Sequence, residues 1–302
     1  MEKSYFKNWS PFVTTGIACI GLTCGSVAYS QQQKFTRQES ESLGERETVT
    51  DNWFGWGHKL EERGISLGLG VTEIYQNNLR DGKDSDAGGQ SGSYDLELEL
   101  DLQKLVGLNG ASVYLLGEGS WSGGSGVDTS ALGGSLFGIN DDFGGERTLD
   151  ITELWYQQAL MDDNFKFRVG KLDLTSGFEV GKHVAAFDGN QFANDETAQF
   201  LNGALVNNAS IPFPDNGLGA MAILALNQWS YVSAGIADAE SDARTTGFDS
   251  AFDGDHDYFY ITEIGFMPQL QSDNGPLPGT YRVGAWHDRQ PKTEFVGNVL
   301  QC

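Results

Sequence analysis

The chain has 302 residues, of which 42 are acidic and 19 basic, and its net charge of −23 would repel a phosphate backbone over most of its surface. Nucleic acid is therefore excluded as a partner. Forty glycines against seven prolines, with 12% aromatics, suit many strands and tight turns better than helices.

The opening "MEKSYFKNWSPFVTTGIACIGLTCGSVAYS" has Lys3 and Lys7, an apolar run from Phe12 to Val27, and small residues at Ala28 and Ser30. This is the order of a Sec signal peptide over residues 1–30, and the run is short for a membrane span. Cys19 and Cys24 lack the leucine-led motif of a lipoprotein signal. Cleavage after Ser30 would leave Cys302 as the one cysteine of an exported chain, with no internal disulfide. Residues 31–51 read as a polar leader. "DNWFGWGHKLEERGI" follows and predicts a short helix with Trp53, Phe54, Trp56 and Leu60 on one face.

From Ile65 the hydrophobic period changes to two. Strands are expected at Ile65–Tyr75, Ser93–Leu105, Gly110–Trp121, Leu149–Leu160, Asn164–Leu174, Gly203–Ile211, Gly217–Leu226, Trp229–Asp238, Asp257–Pro268 and Gly279–Asp288. Their lengths suit tilted strands crossing a bilayer. Short turns at Val106–Asn109, Met161–Asp163 and Asn227-Gln228 alternate with long polar stretches at Gln76–Gly92, Ser122–Thr148, Thr175–Asn202 and Ala239–His256. An up-and-down sheet segregates its connections in this way, with short turns on one side and long loops on the other. Tyr75, Tyr94, Trp121, Trp155, Tyr156, Trp229, Tyr258, Tyr260 and Trp286 mark strand ends, as interfacial girdles would. In "YDLELELDL", Tyr94 and the leucines alternate with Asp95, Glu97, Glu99 and Asp101. Four carboxylates in a row are costly in a packed core, whereas a wet lumen or a solvated sheet face accepts them.

Signals for catalysis are thin. His58, His183, His256 and His287 are scattered, with no metal-ligand spacing, and no serine motif completes a triad with His287. "GGSGVDTSA" at 123–131 is a solitary copy of a calcium nonapeptide that works only in arrays. "DSAFDGDHD" at 249–257 reads as a solvated acidic loop. No enzyme activity and no cofactor are expected.

Residues 151–174, "ITELWYQQALMDDNFKFRVGKLDL", predict two antiparallel strands joined by a tight turn. Phe165, Phe167 and Val169 alternate with Lys166, Arg168 and Gly170. "ELWYQQ" before "FRVGKLD", after "LELELDLQKLVGLNGASVYL" and "WGHKLEERGISLGLGVTEIY", resembles the carbohydrate-selective porins of the OprB type, over roughly residues 53–290.

The resemblance implies an all-β fold: a transmembrane antiparallel up-and-down barrel of sixteen strands in the outer membrane of Gram-negative bacteria. Such a barrel passes mono- and small oligosaccharides by facilitated diffusion, past a loop folded inward. It also implies that Glu153 and Arg168, with Trp155 and Lys171, line the constriction. Gln157 and Lys166 share their faces, and Glu97, Glu99 and Asp101 line the lumen. Lys171 has the parity of the apolar row and can line the pore only if the strand ends there. Thr175–Asn202, with Phe178, Phe187, Phe192 and Phe200, is the candidate inward loop. Expected partners are sugars, outer-membrane lipid and the barrel-assembly machinery, in a monomer or a homotrimer.

Sixteen strands usually need about 400 residues, so the barrel domain, 52–302, reads as C-terminally incomplete, with open edges prone to aggregation. Two other readings stay open at this stage: a general or ion-selective porin, and a secreted soluble β-sandwich that binds carbohydrate.

Overall fold

A computed structural model describes residues 16–17, 51–77, 88–124, 147–175, 178–180, 183–185, 211–252, 257–273 and 275–290. A two-residue strand β1 (Gly16–Ile17) comes first, followed by β2 (Ile65–Asn77), β3 (Gly88–Asp101), β4 (Ala111–Gly124), β5 (Arg147–Leu160) and β6 (Phe165–Leu172). Next are β7 (Phe178–Val180), β8 (His183–Ala185), β9 (Gly217–Asn227), β10 (Ser230–Asp238) and β11 (Tyr258–Phe266). The last are β12 (Gln269–Ser272), β13 (Gly275–Pro278) and β14 (Tyr281–Asp288). Helical pieces are short: α1 (Asp51–Phe54), α2 (Trp56–Glu61), α3 (Leu102–Val106) and α4 (Phe248–Phe252).

One sheet carries the molecule, in the order β1-β14-β11-β10-β9-β6-β5-β4-β3-β2, while β7–β8 and β12–β13 form separate hairpins. Every neighbouring pair in it is antiparallel. Among the described residues the sheet is open, with β2 at one end. Nine expected strands are present. The tenth, 203–211, lies outside the described residues up to 210. Because β6 pairs directly with β9, from Phe165 opposite Leu224 to Leu172 opposite Gly217, the sheet holds no strand between them.

Two local expectations are corrected. The expected helix breaks at α1, where Asn52, Trp53 and Phe54 have φ of 52°, 56° and 57°. This left-handed turn sends Trp53 to donate to the Leu67 carbonyl at 3.0 Å, while Phe54 and Trp56 stay exposed. The strand expected to reach Leu105 stops at Asp101. The Asp101 carboxylate accepts the backbone N–H groups of Gln103 and Lys104, at 2.9 and 3.1 Å, and so caps α3. Gly107, at φ 79°, closes that helix.

Connections alternate as expected. The links from β2 to β3, β4 to β5, β6 to β9 and β10 to β11 begin and end at one rim of the sheet. The other rim carries α3, the 161–164 and 228–229 turns, and a longer link holding β12–β13.

Register sorts the side chains onto two faces. Exposed large apolar residues of the strands, among them Val71, Leu96, Leu154, Val169, Leu226, Ile264 and Val283, all share the outer parity. The other parity carries Glu97, Glu99, Glu118, Glu153, Lys166, Arg168, Glu263 and Arg282. A soluble sheet hides its greasy face; this one displays it. Such a continuous exposed apolar band is larger than a water-facing sheet surface ordinarily carries. Trp155 and Trp286, expected in the girdles, fall on the inner face.

The inner face is itself divided. On β6 and β9–β11 it carries Leu172, Met221, Ile223, Tyr231, Phe259 and Ile261, which cluster with Leu174, Val180 and Ile211. Burying each large apolar side chain contributes about 1.5–3 kcal/mol. The cover comes from the segment after β6: Val180, in the β7–β8 hairpin, is fully buried. His183 Nε2 lies 2.7 Å from the Asn227 carbonyl, and its ring lies 5.7 Å from that of Tyr231. Thus the segment starts at the long-loop rim and reaches the short-turn rim by residue 183. Phe187, Phe192 and Phe200 of the expected inward loop lie outside the described residues.

Candidate functional site

Strands β3 to β6 bring the motif residues together. Across the ladder Glu99 stands opposite Tyr114, Tyr114 opposite Trp155, and Trp155 opposite Gly170. The adjacent row runs Asp101, Ser112, Gln157, Arg168 and Met221. The pairing of β4 with β5 slips at Leu116/Gly117, opposite the Thr152–Glu153 step. Such a bulge re-aims side chains, and both Thr152 and Glu153 are buried.

Trp155 is the centre of the cluster. Tyr114, on β4, stacks with it at 4.9 Å and 23°, while the Arg168 guanidinium, on β6, lies 3.8 Å from its ring centroid. These partners come from strands on either side of β5, so the indole is covered from both. Its Nε1 donates to Glu153 Oε2 at 2.7 Å, and Arg168 Nη2 donates to Gln157 Oε1 at 3.1 Å. Trp155, Glu153 and Arg168 are 7%, 7% and 5% exposed. Gly170 makes room: at φ +141°, a Cβ there would sit 2.3 Å from the Leu154 carbonyl oxygen and 2.7 Å from Trp155 Cα.

The predicted residues therefore separate. Glu153, Trp155, Gln157 and Arg168 meet in one network, with Trp155 standing between the acid and the cation. Lys166, on the same face, is partly buried and lies 3.5 Å from Asp163. Glu97 and Glu99 remain exposed on the inner face, opposite Gly68 and Ser66 of β2. Asp101 is committed to the α3 cap. Lys171 points the other way, opposite Leu218 on the outer parity, where its ammonium donates to the carbonyls of Ile151, Ala243 and Thr245 at 2.8, 2.5 and 2.5 Å.

Sequence reasoning missed Tyr114, whose shared parity with Ser112 and Glu118 was the available signal. It also missed a second inner cluster. There Tyr231 OH donates to Glu263 Oε1 at 2.5 Å, and Arg282 stands on the adjoining strand opposite Gly265. Among the described residues no group of histidines, cysteines and carboxylates has metal-site geometry.

Comparison with known proteins agrees with this architecture. A model of the carbohydrate-selective porins, OprB family, matches residues 86–298. The high-pH structure of Pseudomonas putida OprB superposes with a TM-score of 0.62 at 20% identity, covering 82% of this chain and 58% of that one. The low-pH structure of the same protein matches at 0.44 and 18%, over 79% and 60%. The chain thus spans less than two thirds of these solved relatives. No curated protein matches.

Proposed function

Because the chain belongs to the OprB family of carbohydrate-selective porins, an outer-membrane family, we propose that it forms the wall of a water-filled conduit for mono- and small oligosaccharides. The observation carrying this reading is the sheet's division into an exposed apolar face and an inner face of carboxylates, cations and rings, partly covered by an inward segment.

On this reading the exposed Glu97 and Glu99 meet the permeant, and their carboxylates accept hydroxyl hydrogen bonds. Tyr114 and Gln157, both partly exposed, complete the wetted wall. Arg168 and Glu153 act mainly as positioning residues, because Trp155 and its neighbours bury them. Trp155 offers no open ring face for a pyranose, since Tyr114 and Arg168 occupy both. Residues 1–30 direct export and take β1 with them when cleaved, which leaves β14 as an edge among the described strands; the long-loop rim faces outward, and the assembly machinery inserts the chain. The exposed acidic row also favours a preference for cations among small ions.

The test is reconstitution, in vesicles and planar bilayers, of the closed barrel in which this chain forms the wall. Vesicles should swell in monosaccharide and the reversal potential should indicate cation preference. Glu97→Gln with Glu99→Gln should lower that preference and weaken sugar block of the current. Vesicles impermeable to sugars, or a double variant with unchanged selectivity and block, would contradict the proposal.

A further inference from the structure

We infer that residues 239–252 form a flap over the outside of the wall that seats Phe248 and Phe252 in the interfacial layer of the surrounding lipid. The inference rests on the porin reading and adds a membrane-surface site to it.

Ser241 sits at the rim against the inner-parity Gly217, but from Ala243 to Ala251 the strand residues that anchor the flap have the outer parity, which carries it over the outer face. Lys171 Nζ holds the Ala243 and Thr245 carbonyls at 2.5 Å each. Gly247 lies against Leu218, whose Cγ is 3.6 Å from where a Cβ would be. Ser250 Oγ donates to Asp238 Oδ2 at 2.6 Å, and Tyr258 OH donates to the Ala251 carbonyl at 3.0 Å. Lys171 pairs with Leu218, and Asp238 with Tyr258. The flap therefore runs back from β10 and β11 across β9 to β6. Asp215, before β9, adds a carboxylate on the Ala243 N–H at 3.1 Å.

Phe248 and Phe252, at i and i+4 of α4, share one side of the turn and point off this fastened scaffold. They are 61% and 67% exposed, with ring centroids 6.3 Å apart. Their position fills a gap. Elsewhere on the long-loop rim the outer rows end in rings: Tyr75 on β2, Tyr94 on β3, Trp121 on β4, and Tyr258 with Tyr260 on β11. On β5, β6, β9 and β10 the corresponding outer positions are Leu149, Lys171, Leu218 and Asp238, none aromatic. The flap crosses this stretch and supplies two rings to it. Lipid suits the site better than a second copy of the chain. Two phenylalanines offer a few hundred Å² at most, whereas a stable protein partner needs about 800 Å² per side. The site is also continuous with the apolar outer wall at Val169 and Tyr260.

The experiment uses the full chain in bilayers, with Cys19, Cys24 and Cys302 replaced by serine and one nitroxide-labelled cysteine introduced. At F252C, oxygen should relax the label several-fold more effectively than a water-soluble nickel chelate. At R244C, on the same flap, the ranking should reverse. Nickel accessibility at F252C equal to that at R244C would overturn the inference, as would spin–spin broadening between copies. I264C separates the two levels. If it reports lipid while F252C reports water, only the flap assignment fails; if both report water, the porin reading fails.

Discussion

Trp155 fixes the distance and orientation between a buried acid and a buried cation. Its Nε1 occupies one Glu153 oxygen, and its ring carries the Arg168 guanidinium. Trp155→Phe should retain most of the stack and lose the Nε1 bond, costing roughly 1.5–3 kcal/mol for a bond to a charged group. Trp155→Ala should cost about 3–5 kcal/mol, as large-to-small core changes do. Urea unfolding in lipid vesicles orders the two variants. Equal stability of all three proteins would show that the indole supports nothing.

On the proposed porin reading, the inward segment sets how much of the lumen is open. Val180 is fully buried against inner-face apolar residues, so Val180→Asp places an unpaired charge there, at a cost of several kcal/mol. The hairpin should leave the wall and single-channel conductance should rise; unchanged conductance would mean that the segment does not narrow the path. This element also marks where the sequence was legible and where it was not. Strands β2 to β5 read clearly, because one face is apolar and the other polar, and period two follows. In "GLGAMAILAL" of β9 both faces are apolar, one on the outer parity and one under the hairpin, so alternation blurs. Motif parity put Glu153, Trp155 and Gln157 together, and Arg168 with Lys166. Their contacts depend on a bulge and on Gly170, which cross-strand register sets and local pattern does not. The Asp101 cap was readable in principle as an acid before "LQKLVG", but it was hidden inside the longer alternation of carboxylates.

Across the whole molecule, the two faces of the sheet are suited to different solvents. A cation placed on the outer face should be far more damaging than one on the inner face. Ile264→Lys should cost roughly 2–4 kcal/mol if it lies near the bilayer midplane, whereas Glu97→Lys should leave stability nearly unchanged and alter ion selectivity. The most direct measurement reads both faces on one strand. Single cysteines at positions 95 to 99 of β3, in the cysteine-free chain reconstituted in bilayers, are treated with a charged, water-soluble maleimide. Labelling is expected at Asp95, Glu97 and Glu99 and protection at Leu96 and Leu98. Uniform labelling, or protection at the carboxylate positions with reaction at the leucines, would contradict the assignment of a wet inner face and a lipid-facing outer one.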